Sequence, residues 1–184
     1  LFDQYAEHFE KSLVDDLCYK MPKHIAKLLI TKPSKSLGSI LDLGCGTGLV
    51  GLELKNNCNY LEGIDLSSAM IVKAKQKGIY DKLVTTNILD YLSEKNLNFD
   101  YFIAADVFIY LGDLYNIFKL IKTRNKKSGK LIFSTEHIDG EGYSLEKSGR
   151  YSHSKNYILS LCKEMNMSIC QFITKPLRKN NNSF

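Results

Sequence analysis

Apolar residues run along this chain in short blocks whose spacing switches between helix-like and strand-like periods. Phe2, Tyr5 and Phe9 share one helical face and Leu13, Leu17 and Met21 continue it. Pro22 breaks or kinks that run, and Ile25, Leu28 and Leu29 resume it to about residue 31. Residues 33–39 read as a loop. Residues 40–44 (Ile-Leu-Asp-Leu-Gly) then form an apolar strand entering a glycine turn, with a helix at 49–54 stopped by Asn56 and Asn57. A second strand covers 60–65, and Ser67 or Ser68 caps a helix carrying Met70, Ile71 and Ala74 at helical spacing. Strands follow at 83–86, 99–104 and 130–134, with a helix through Leu114, Ile117, Phe118 and Ile121 before the last of them. A helix at 154–165 turns Tyr157, Ile158, Leu161 and Met165 inward, and residues 168–173 read as the final strand. Strands alternating with helices predict a doubly wound α/β domain, its mostly parallel sheet covered on both faces. The whole of 1–184 reads as one domain, with an N-terminal helical cap or lid at 1–32 and a core at 33–184.

Composition narrows the class. Hydrophobic residues make up 44% and charged residues 24%, too apolar for a disordered chain. No apolar run approaches the ~20 residues that cross a bilayer, and no leader opens the chain, so the expected compartment is cytoplasmic. Five cysteines without a CxxC pair point to reduced, buried thiols rather than disulfides or zinc, and no metal is expected. The net charge of +5 comes from scattered lysines; the densest run, 122–130, reads as a solvated turn, so the nucleic-acid signal is weak.

The most informative segment is residues 42–48, Asp-Leu-Gly-Cys-Gly-Thr-Gly, between a strand and a helix. Glycines at alternate positions permit left-handed backbone and close approach of a ligand. Asp65 ends the second strand, where an acid accepts ribose hydroxyls, so the spacing points to a nucleoside cofactor at the carboxyl edge of the sheet. Gly46, Gly48 and Gly51 also fit GxGxxG, which keeps a nicotinamide dinucleotide as an alternative. Asp42 argues against it. A carboxylate about 5 Å from a pyrophosphate costs roughly 3 kcal/mol at an effective dielectric near 20. The ammonium and sulfonium of S-adenosylmethionine tolerate or favour a nearby carboxylate.

The chain here resembles the class I S-adenosylmethionine-dependent methyltransferases, through 40–48, through 63–70 (Gly-Ile-Asp-Leu-Ser-Ser-Ala-Met) and through 99–106 (Phe-Asp-Tyr-Phe-Ile-Ala-Ala-Asp). A narrower likeness is to bacterial methyltransferases associated with tetratricopeptide repeats, carried by residues 2–9, 105–112 and 148–153. The resemblance implies a Rossmann-like fold and a set of cofactor residues. Gly44, Gly46 and Gly48, with Asp42 nearby, would hold the methionine part, and Asp65 the ribose. Leu66 and Met70 would pack on adenine, Asn87 and the Ile88 N–H would read its edge, and Ala105 and Asp106 would border the transferred methyl. The aromatic stripe of Phe2, Tyr5 and Phe9, read from its spacing, is expected either to close over the site as a lid or to pack into the core. Asn87 stands where relatives commonly carry Asp. The usual terminal antiparallel strand reads as missing or irregular.

Asp106, Tyr110, His137 and His153 are the candidates for proton transfer or acceptor positioning, with Glu136 and Arg150 beside them. Cys45 reads as a packing residue. No Asn/Asp-Pro-Pro-aromatic or Pro-Cys segment follows the fourth strand, which weighs against methylation of DNA bases. The expected activity is methyl transfer to a small-molecule or carrier-bound acceptor. The alternatives are an RNA or protein acceptor and a non-catalytic module that binds the cofactor.

Overall fold

The computed structural model describes residues 20–31, 36–94 and 96–174. Tyr5 and the rest of the proposed aromatic lid lie outside them. The first described helix, α1, is Met21–Leu29, and Pro22 sits in its first turn. Pro22 therefore starts this helix rather than breaking it, because first-turn amides have no intrahelical partner to lose.

Five strands, β1 (Ser39–Leu43), β2 (Tyr60–Asp65), β3 (Lys82–Thr85), β4 (Tyr101–Ala104) and β5 (Lys130–Phe133), make a sheet in the order β3-β2-β1-β4-β5. Every pairing is parallel. Five helices follow α1: α2 (Leu49–Leu54), α3 (Ser68–Gln76), α4 (Ile88–Glu94), α5 (Tyr115–Arg124) and α6 (Lys155–Glu164). This is the doubly wound, Rossmann-like arrangement. Because strand side chains alternate, Ile40, Leu61 and Ile103 face Ile25 of α1 and Val50 and Leu54 of α2. Leu41, Leu43, Ile64, Phe102 and Ala104 face α4, α5 and α6 on the other side. Both faces are covered, which is why these strands read as near-continuous apolar runs.

Three departures from the expected elements have physical causes. Helix α4 follows β3 directly; its seven residues are too short for periodicity to reveal, and Asn87 starts it by accepting the Leu89 N–H at 2.8 Å. Residues 136–154 form a second sheet, β6 (Glu136–Ile138), β7 (Tyr143–Leu145) and β8 (Tyr151–Ser154), in the order β6-β8-β7. Residues 168–173 form no strand: Ile169, Phe172 and Ile173 are exposed. An alternating stretch becomes a strand only when a neighbour takes up its backbone groups, and none of the described residues does so here. Among those residues the main sheet has no antiparallel strand, and β5 pairs only with β4.

Candidate active site

The strand order reverses between β1 and β4, and the crevice outside their carboxyl ends is where ligands bind in open α/β sheets. The loops leaving β1, β2 and β4 meet there. Gly44, Gly46 and Gly48 have φ of 68°, 53° and 91°, left-handed values that make the turn affordable only to glycine. Gly44 is doubly constrained, since a Cβ there would lie 2.5 Å from a methyl of Val107, in the loop after β4. Thr47, inside the turn, is 1% exposed, and its Oγ1 has no hydrogen-bond partner. A buried hydroxyl in that condition calls for a ligand or a small movement of the turn.

Asp65 stands at the end of β2. Its two carboxylate oxygens accept the Gly46 and Ser67 N–H groups, each at 2.8 Å. The acid is thereby fixed against the glycine turn at the carboxyl edge of β2. The following residue, Leu66, is 68% exposed, an apolar surface of the kind a base can cover. Ser67 caps α3 by accepting the Met70 N–H.

Asp106 adopts φ 55° immediately after β4, a strained value for a residue with a side chain. Ser134 holds it there: the Ser134 hydroxyl accepts the Asp106 N–H and donates to its Oδ1, both at 2.8 Å. Ala105 beside it is half-buried. Tyr110 is exposed and lies beside Arg150, which donates to Glu136 at 3.1 Å. Burial works against the Arg150 charge, but Glu136 and Tyr110 together raise the guanidinium above its usual range.

Several sequence expectations are corrected. Asp42 is not a carboxylate at the lip of the strand: it is 1% exposed and accepts the Tyr80 hydroxyl at 2.7 Å. Asp42 lies two positions from Ile40 in β1, so its side chain goes to the α2 face of the sheet. Burial pushes its pKa up to about 7, against the pull of the Tyr80 hydrogen bond and with a push from Asp65. Met70 is 2% exposed and packs inward rather than offering a surface to a base. Asn87, by contrast, stays exposed at the start of α4 while its oxygen caps the helix, and Ile88 turns its side chain to the core. His153 is 1% exposed, with Gly112 O and Thr135 Oγ1 on its two ring nitrogens and Tyr157 stacked on it. Burial lowers its pKa, and it serves as a packing residue of the small sheet. His137 is exposed beside Asp139 on β6.

Two site residues escaped the sequence reading. Ser134 carried no signal beyond its place at the end of a strand. Tyr80 did carry one, in Gly51 and Gly63: a glycine inside a helix and one inside a strand mark close approach of another group. A Cβ on Gly51 would lie 2.6 Å from the Tyr80 ring, and one on Gly63 would lie 2.8 Å from it. Gly51, which completed GxGxxG, therefore makes room for a tyrosine of this chain.

Comparison with known proteins agrees with this geometry. The sequence model of the family described as "Methyltransferase domain" matches residues 41–133. The biotin biosynthesis bifunctional protein BioHC of Saccharophagus degradans is 25% identical over 131 residues, 70% of this chain and 21% of that protein. The 18S rRNA (guanine-N(7))-methyltransferase of Bos taurus is 25% identical over 130 residues, 60% of this chain and 46% of that protein. The chain thus spans less than half the length of either curated relative. A crystal structure of an S-adenosylmethionine-dependent methyltransferase from Clostridium acetobutylicum superposes with a TM-score of 0.68. It is 19% identical, with 92% of this chain and 89% of that one covered.

Proposed function

Because the chain belongs to the methyltransferase domain family, we propose that it transfers a methyl group from S-adenosylmethionine to a small-molecule or carrier-bound acceptor. One observation carries the cofactor reading: the glycine turn, the backbone-fixed Asp65 carboxylate and the exposed Leu66 are gathered where the strand order reverses. These residues fit the group. Asp65 would hold the ribose, Leu66 the adenine face, and the turn at 44–48, with its orphaned Thr47 hydroxyl, the amino-acid end. When bound, S-adenosylmethionine supplies an electrophilic methyl whose C–S bonding pair stays on sulfur as the acceptor's lone pair forms the new bond.

The chain's own part is positioning. Ser134 holds the strained Asp106 turn at the end of β4, bordering the acceptor side with Ala105. Tyr110, Glu136 and Arg150 lie together beyond it, and Tyr110 and His137 are the exposed groups there able to handle a proton.

The acceptor reading rests on charge. Arg150 is paired with Glu136, and the lysine-rich run at 122–130 leads into the start of β5, at the sheet edge opposite the glycine turn. The one arginine in the acceptor-side group described above is thus neutralised by an acid. The RNA reading draws on the rRNA methyltransferase relative and the net charge of +5. The narrower kinship with repeat-associated bacterial methyltransferases draws on residues 105–112 and 148–153. No helix among the described residues is long and apolar enough to cross a membrane. Incubation with methyl-labelled S-adenosylmethionine and a cell extract decides between acceptors. Label in the acid-soluble or carrier fraction is expected, and label confined to RNA or bulk protein contradicts the small-molecule reading. A module that only binds the cofactor would label no fraction.

A further inference from the structure

Helix α2 begins at Gly48, which has no side chain to cap it, and no acid stands in its first turn. Its third residue, Gly51, lies against Tyr80: a Cβ there would sit 2.6 Å from the phenol oxygen. The same phenol donates to Asp42 at 2.7 Å. Tyr80 therefore ties the start of this helix to a buried carboxylate in β1.

The loop carrying Tyr80 is pinned on both sides. Asp81 exchanges two backbone-directed bonds with Leu61 of β2, its N–H donating at 2.8 Å and its carboxylate accepting at 2.7 Å. Lys77 donates to the carbonyl of Thr47, in the glycine turn itself, at 2.7 Å. The Tyr80 ring fills the space left by Gly48, Gly51 and Gly63. A Cβ on any of the three would lie 3.0 Å or less from it. One loop outside the glycine motif thus holds the floor of the turn, and that floor contains a carboxylate.

We propose that Tyr80 is a positioning residue of the cofactor turn: it holds the Asp42 carboxylate beneath the turn so that the site binds the cationic methyl donor in preference to the uncharged thioether left after transfer. The inference rests on the S-adenosylmethionine reading above. Donor and product carry the same ammonium and carboxylate and differ in the sulfonium charge, so a fixed negative charge under the turn separates them. The titratable groups facing Asp42 are Tyr80 from the loop, Cys45 from the turn and Asp65 from β2. Of these, Tyr80 hydrogen-bonds the Asp42 side chain, and losing that bond favours the protonated acid.

Titration calorimetry with S-adenosylmethionine and S-adenosylhomocysteine, from pH 6 to pH 9, tests this on the wild type, Tyr80→Phe and Asp42→Asn. The readout is the ratio of the two affinities. In the wild type that ratio should rise roughly tenfold in favour of the donor as Asp42 ionises. In Asp42→Asn it should be flat. In Tyr80→Phe, which keeps the ring, the rise should move to higher pH by about one unit. A flat wild-type ratio, or a Tyr80→Phe profile that superposes on the wild type, overturns the proposal. If Tyr80→Phe does not fold, the wild type and Asp42→Asn decide it alone, since equal profiles refute a charge beneath the turn. If the wild type binds neither ligand at any pH, the cofactor reading fails, and the inference falls with it. The pH dependence of urea unfolding in the ligand-free proteins still reports on the Tyr80–Asp42 bond separately.

Discussion

Two acids are buried in adjacent strands of the same sheet, and they have opposite surroundings. Glu62 of β2 is 3% exposed and faces α4. It accepts from the hydroxyls of Tyr60 and Tyr91 and from the Lys82 ammonium at 2.7 Å. Those donors come from β2, α4 and β3, so Glu62 braces three elements and its desolvation is offset by a full set of partners. Asp42 of β1 goes to the opposite face, beneath the glycine turn. It has the single side-chain donor Tyr80 and an acidic neighbour in Asp65. A carboxylate that only completes a core gains from Glu62's surroundings. Asp42 lacks that set of partners; under the role proposed above, its burial serves binding of the methyl donor.

The contrast is most sharply tested by removing each acid. Glu62→Ala leaves the Tyr60 and Tyr91 hydroxyls without their acceptor, while the half-exposed Lys82 ammonium returns to water, and should cost about 3–4 kcal/mol in urea unfolding. Asp42→Ala strands the buried Tyr80 hydroxyl but relieves the burial of the acid itself, so it should cost about 1–2 kcal/mol while weakening donor binding. Equal losses of stability would erase the distinction. Asp65→Ala should weaken S-adenosylmethionine binding by about 1–3 kcal/mol, because a charge-assisted partner of the ribose and the clamp on Gly46 go together. Unchanged affinity by calorimetry would remove Asp65 from the site.

Protonation gives a smaller effect of defined sign. The folded-state pKa of Asp42, about 7, lies above its unfolded value of 3.8. Its contribution to stability is therefore complete below about pH 4 and lost as pH rises through about 7. His153 has its pKa lowered by burial, so it contributes above its ordinary value of 6.5 and loses that contribution as pH falls. Ligand-free unfolding of Asp42→Asn should lose the first slope and keep the second. The smallest effect is at the surface. A hydrogen bond from Lys127, with help from Ser39, brings Asp100 down to about 2, so its stabilisation holds above about pH 4 and fades toward pH 2. Both side chains are more than a third exposed, so Lys127→Met should cost no more than about 0.5 kcal/mol at pH 7.

The parts of the fold that were readable are those fixed by neighbours in sequence. The β1 strand, the left-handed turn after it, Asp65 at the end of β2 and the Ser67 cap all depend on residues a few positions apart. The unreadable parts depend on distant partners. Whether Asp42 met solvent or a tyrosine was decided by residue 80, and His153 was taken from the site into the core by Gly112, Thr135 and Tyr157. The alternation at 168–173 was real but lacked a neighbouring strand, so periodicity alone overstated it. Gly51 shows how a motif misleads: its spacing matched a dinucleotide fingerprint, while its cause was the Tyr80 ring, from a distant loop of the same chain.

The account stands on the glycine turn and Asp65 forming one cofactor cradle. A crystal structure with S-adenosylhomocysteine at saturation tests that directly. It should place both ribose hydroxyls within hydrogen-bond distance of the Asp65 carboxylate, with adenine against Leu66 and the amino-acid end over residues 44–48. Ligand bound elsewhere, or a nicotinamide dinucleotide seating its pyrophosphate over that turn in its place, would contradict it.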